Sequence, residues 1–133
     1  MRVNGSYKDL VFIFDEDLNS AEFVINSFDL RSAEAYINFI ALVSEYAMIE
    51  KPDYIIFNKK ESGFVLDKSI LTFTKGLIFN QLKSSGVSKI IMVVNLPLYE
   101  SIYKDIEKRN SLMKSFLTLE EAYSWILANR NMV

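Results

Sequence analysis

Apolar runs and polar breaks alternate along this chain with the spacing of strands and helices. Leu10-Val11-Phe12-Ile13-Phe14 is a short apolar run, the polar cluster Asp15-Glu16-Asp17 follows, and a second run spans Ala21 to Ile25. Two β-rich runs around an acidic turn predict an antiparallel hairpin. Asp29 to Ser32 opens a long helix, with Ser32 the favoured N-cap and Glu34 in the first turn, where it complements the helix dipole. That helix is expected to run to about Glu50 and stop before Pro52, because proline disfavours helical backbone in the residue ahead of it. Tyr54-Ile55-Ile56-Phe57 is a continuous apolar run, the mark of a strand covered on both faces.

Further along, Asn58 to Gly63 reads as a polar loop, and Asp67 can cap a second helix that ends at Gly86, a natural residue just past a helix end. Lys89 to Val94 reads as another buried strand. Pro97 suits the first turn of a third helix through about Arg109. Lys114 to Leu117 reads as a last short strand. Thr118-Leu119-Glu120-Glu121 is a capping box that opens a final helix through Trp125 to about Asn129. The predicted order is β-β-α-β-α-β-α-β-α over one domain, residues 1–133. It implies an α/β fold with a mixed, mainly parallel sheet and an N-terminal β-hairpin as its antiparallel edge.

Composition narrows the chemistry. The 133 residues contain no histidine and no cysteine, which excludes serine-histidine triads, thiol catalysis, structural zinc and histidine phosphotransfer. No cofactor or metal is expected. A formal charge of -2 argues against a nucleic-acid partner, whose footprint is a concentrated basic face. The start, Met1-Arg2-Val3-Asn4-Gly5, has no apolar leader core, and Asn4-Gly5-Ser6, which matches a glycosylation sequon, reads as a turn. The apolar stretch Tyr36 to Ile49 is interrupted by Asn38, Ser44 and Glu45 and falls short of the ~20 residues that cross a bilayer. No membrane span and a cytoplasmic location are the expectations.

Two segments carry a family resemblance: Lys83-Ser-Ser-Gly-Val-Ser-Lys-Ile-Ile-Met-Val-Val94, which joins helix two to a buried strand, and Leu119-Glu-Glu-Ala-Tyr-Ser-Trp-Ile-Leu127, a capped closing helix. With the element order, they make the chain resemble the STAS-like or SpoIIAA-like domains, the family of anti-sigma-factor antagonists, over nearly its whole length. The resemblance implies a three-layer bacterial scaffold that acts by binding proteins. The family's functional mark is an Asp-Ser-Ser/Thr-Gly segment at the start of helix two, whose first serine a partner kinase phosphorylates. The matching place here is Asp67-Lys68-Ser69-Ile70. Asp67 is retained, but lysine stands in for the phosphoacceptor and isoleucine for the glycine, so no phosphoswitch is expected there.

Ligands of open α/β sheets gather at the carboxyl ends of the strands, beside helix N-termini. That edge is expected to carry Asn58, Lys59, Lys60, Glu61 and Ser62, then Asp67 and Ser69, then Asn95 and Thr118. Its two lysines could attract a phosphate or a carboxylate, and Asp15-Glu16-Asp17 could hold a hard cation. The first helix is apolar over most of its circumference, wider than the stripe of ~100° that a helix lying on a sheet needs. Tyr36, Phe39, Val43 and Tyr46, extended by Phe79, are therefore the expected partner-binding row. The expectation is a non-enzymatic regulatory or interaction module that binds a protein partner or forms a homodimer. The alternative is a small-molecule or acyl-chain binder with an apolar pocket between sheet and helices, built from some of the ten phenylalanines and five methionines. No paired acidic motif supports an enzyme.

Overall fold

The computed structural model describes residues 2–25, 33–59, 76, 80–109 and 111–130. Six strands form one sheet in their chain order. They are β1 (Arg2–Tyr7), β2 (Leu10–Asp15), β3 (Ser20–Val24), β4 (Tyr54–Asn58), β5 (Lys89–Val93) and β6 (Met113–Phe116). The β1–β2 and β2–β3 pairs are antiparallel, and β3 to β6 run parallel. Helix α1 (Ala33–Glu50) follows β3. A helical segment at 80–84, α2, precedes β5. Between β5 and β6 lies α3, whose Leu96–Leu98 and Lys104–Arg109 turns flank a wide π turn at Tyr99–Tyr103. Helix α4 (Leu119–Asn129) closes the chain of elements. The fold is α/β with a mixed sheet.

The first strand corrects the sequence reading: Asn4-Gly5-Ser6 lies inside β1, not in a turn, so a third antiparallel strand precedes the parallel part. Gly5 faces Phe12 across the ladder, and a Cβ there would sit 2.5 Å from the Phe12 ring. The ring folds over a residue with no side chain.

Sheet direction decides which face each helix covers. Strands β3 to β6 step the same way across the sheet, and parallel crossovers are right-handed in nearly all proteins, so α1, α2 and α3 all fall on one face. Their buried residues (Phe39, Leu82 and Ile106 among them) share one core with Phe23, Phe57 and Met92 from the strands. Among the described helices α4 folds over the opposite face. There Ala122 and Ile126 pack on Leu18, Tyr54, Ile56, Ile91 and Val93. A helix is ~10 Å across and strands are spaced ~4.8 Å, so one helix shelters about two strands. No described helix covers the β1–β2 side of this face.

The tyrosine row of α1 is not a free surface, as expected from the sequence, but its inner stripe. Tyr36, Phe39, Val43 and Tyr46 are 5, 3, 1 and 4% exposed. Tyr46 packs 4.6 Å from Phe12 and 6.2 Å from Tyr7, ring centre to ring centre, and Phe39 meets Phe23 and Phe57 edge-on. The extra apolar girth is covered because the sheet is one strand wider than the sequence suggested, and β1 sends Tyr7 over the helix. Met48 and Ile49, in the last turn, are the large apolar residues of α1 that stay exposed. The helix ends at Lys51, which takes the left-handed conformation (φ 49) and donates its N–H to the Ala47 carbonyl at 2.9 Å.

Candidate functional site

Side chains alternate across a strand, and that alternation splits the expected strand-end site in two. Asn58 and Lys59 are neighbours in sequence but serve opposite faces of the sheet. Asn58 faces α4, where its Nδ2 donates to Glu22 Oε2 at 3.1 Å. Lys59 faces the α1 layer, where its Nζ donates to the Tyr103 hydroxyl at 2.9 Å. Asn95 is half-buried, and its carbonyl accepts the Tyr99 N–H at 3.0 Å, joining the loop to the π turn of α3. Thr118 is the N-cap of α4: its hydroxyl accepts the Glu121 N–H at 3.1 Å and donates to the Glu121 carboxylate, as the capping box predicted. Lys60, Glu61, Ser62, Asp67, Ser69 and Phe79 lie outside the described residues, as does Ser32.

Lys59 is 8% exposed. Its ammonium lies 5.4 Å from the centre of the Tyr36 ring and 5.5 Å from that of Tyr103, within cation–π range of both. Burial pushes the Tyr103 phenol well above its ordinary range, so Tyr103 stays protonated and Lys59 donates to a neutral oxygen.

The opposite face holds a buried carboxylate. Glu22, in the middle of β3, is 1% exposed. Arg2 Nη2 reaches its Oε1 at 2.6 Å, the Tyr123 hydroxyl donates to the same oxygen at 3.3 Å, and Asn58 takes the other. The Arg2 guanidinium lies 5.1 Å from the Tyr123 ring centre. Burial, reinforced by the Glu22 charge, pushes the Tyr123 phenol up to about 12, which keeps it a donor at neutral pH. Both carboxylate oxygens therefore have donors, as a buried charge requires. The set orients the carboxylate and balances its charge.

Above this network a cleft of about 550 Å³ opens between α4 and the β1–β2 strands. Arg2, Asp15, Asp17, Leu18, Tyr123, Leu127 and Arg130 line it. Asp17, Leu18 and Arg130 also border an adjoining hollow of about 420 Å³ that reaches Asp53, Tyr54 and Ser88. Arg130 is the C-cap of α4, and its Nη1 donates to the Asp17 carbonyl at 3.0 Å, tying the last helix to the β2–β3 turn. Asp15 shapes that turn: its Oδ1 accepts the N–H groups of Asp17 and Leu18 at 3.0 and 3.3 Å. The acidic triplet thus has a structural use. Among the described residues no group of three or more acidic side chains is placed to hold a metal ion.

Sequence reasoning missed Arg2, Glu22, Tyr123 and Arg130. The available signal was Glu22, the one charge inside the apolar run Ala21 to Ile25. No family model, curated protein or solved structure matches the chain. Among the described residues no helix is long and apolar enough to cross a membrane.

Proposed function

We propose that this protein is a non-catalytic interaction module that docks a protein partner on the half-covered face of its sheet, beside α4. The observation that carries the reading is the incomplete layer: among the described residues one helix lies over this face of six strands, with Val11 58% exposed on β2 and Leu127 52% exposed on α4. Val11, with Ser6 opposite it on β1, belongs to the face that α4 covers farther along the sheet. A partner segment laid over β1 and β2 would complete the layer that α4 begins. The resemblance to anti-sigma-factor antagonists points to the same mode of action, with Lys68 in place of the phosphoacceptor. The homodimer expected from the α1 row loses its ground, because that row is covered within one chain. A second copy counts here as one possible partner, docking through β1–β2.

The test compares two exposed apolar patches. The wild-type chain, Val11→Asp and Met48→Asp are used to capture partners from the native cell and are run in sedimentation velocity. The reading expects a stoichiometric partner, or self-association, that Val11→Asp abolishes and Met48→Asp leaves intact. Loss of the partner with Met48→Asp alone would move the docking surface to the end of α1 and overturn the proposal.

A further inference from the structure

We infer that Lys59 and Tyr103 form a binding site for a small organic monocarboxylate, at the carboxyl ends of the parallel strands on the α1 face. Three connections meet there. Tyr36 lies in the first turn of α1, which follows β3; Lys59 follows β4; Tyr103 ends the π turn that follows β5. Open α/β sheets bind their ligands at that edge, and π turns recur at functional sites.

The cluster holds donors and a positive charge without an acceptor to match them. An ammonium carries three N–H donors. Lys59 gives one to the Tyr103 hydroxyl, and the Tyr36 and Tyr103 rings lie within cation–π range. Among the described residues no carboxylate pairs with it. The Tyr103 oxygen accepts from Lys59, and burial keeps the phenol protonated. Its own O–H is therefore a further donor, with no acceptor among the described residues. Lys59 and Tyr103 are 8 and 5% exposed, so bulk water satisfies little of this capacity. A buried charge calls for a counter-charge. One carboxylate supplies it, with a single negative charge and acceptor positions for both the ammonium and the phenol. Inorganic phosphate brings a second charge that one ammonium cannot answer. The surroundings decide the rest of the ligand: Tyr36 and Tyr103 belong to the same buried core as Phe39, Val94 and Ile106, so the body behind the carboxylate is apolar. The inference does not rest on the docking proposal, which concerns the opposite face.

The test uses the purified full chain and NMR titration with butyrate, butyramide, butylamine and inorganic phosphate. Butyrate is expected to bind saturably and about tenfold tighter than the other three, with shifts at Tyr36, Lys59 and Tyr103. Tyr103→Phe keeps the ring and removes the O–H, and is expected to weaken butyrate about fivefold. Lys59→Met is expected to lower butyrate to the affinity of butyramide. Val11→Asp, which tests docking, is expected to leave butyrate unchanged. Should Lys59→Met fail to fold, the wild-type ranking and Tyr103→Phe decide alone. Butyramide or phosphate binding as tightly as butyrate, no saturation by butyrate at millimolar concentration, full butyrate affinity in either variant, or shifts centred on Arg2 and Tyr123 would overturn the inference.

Discussion

On the α1 face the buried charge is Lys59, held by two tyrosine rings and one neutral hydroxyl; on the α4 face it is Glu22, held by a guanidinium, an amide and a phenol. Lys59 follows the carboxyl end of β4 and Glu22 is in the middle of the neighbouring β3, on opposite faces of the sheet. Their surroundings differ because the coverage differs. Crossover helices cover the α1 face, so Lys59 is anchored by core aromatics and its aliphatic stem fills space among them. Among the described residues a single helix covers the other face, so Arg2, which lines the cleft, can reach Glu22 from the edge strand while staying partly in water. A buried carboxylate with three donors seldom outperforms a well-packed apolar residue in stability.

The sharpest way to break this comparison is to unpair Glu22. Arg2→Met is expected to cost about 3 kcal/mol in urea unfolding, because the carboxylate then stays buried with only two neutral donors. Adding Glu22→Leu in the same chain is expected to restore most of that loss. If Arg2→Met alone costs less than about 1 kcal/mol, the network is a surface ion pair and the contrast between the faces fails.

Lys59 is expected to respond more mildly. Lys59→Met keeps the stem and removes the ammonium, which leaves the buried Tyr103 hydroxyl without its donor, at a cost of about 1–2 kcal/mol. Tyr103→Phe in that background is expected to be nearly neutral, since the orphaned oxygen goes with it. A Lys59→Met chain more stable than wild type would mean that the lysine is retained for a task other than holding the fold.

How much of this was readable in advance follows from the range of each interaction. Strands β2 to β5 announce themselves as apolar runs, and the Thr118 N-cap fixes the start of α4 to the residue. Strand β1 does not, because Arg2-Val3-Asn4-Gly5-Ser6-Tyr7 alternates polar with apolar and spends one position on glycine. That omission hid part of the cover of the α1 row, since Tyr7 of β1 packs beside Tyr46. The α4-side site was hidden for another reason. Tyr123 meets Glu22 across 101 positions and Arg130 meets Asp17 across 113, contacts made only when the last helix folds back. Local pattern carries no record of such pairs. It does mark Glu22 as a charge in an apolar strand, which points to the site without naming its partners.

Alkaline pH separates the faces by their tyrosines. The phenols of Tyr46, under α1, and Tyr123, beside the cleft, are both pushed up to about 12 in the folded chain from 10.0, in each case chiefly by burial. A group whose folded value is raised contributes stability below its unfolded value and loses it as pH climbs through the folded one. Stability is therefore expected to be flat up to about pH 10 and to fall between 10 and 12. Phenolate absorbance is expected to show Tyr123 ionising before the chain opens, because it borders solvent, while Tyr103 and Tyr46 ionise with unfolding. Replacing Tyr123 with Phe is expected to flatten the early step alone.

The smallest expected effect concerns a hydroxyl with no evident task. Ser44 lies on the inner side of α1 at 3% exposure, and its Oγ has no hydrogen-bond partner. Many buried helical serines return the bond to the carbonyl one turn back; this one does not. Ser44→Ala removes the unsatisfied atom and substitutes a better helix former, so it is expected to stabilise the chain by up to about 1 kcal/mol. The same change at Ser20, buried on the α4 face and also unpartnered, should gain less, because alanine has no comparable advantage in a strand. A loss of stability with Ser44→Ala would mean that the hydroxyl is satisfied in solution, by a trapped water between α1 and the sheet. The α1 face would then be less tightly closed than its burial indicates, and Lys59 would share that looser packing.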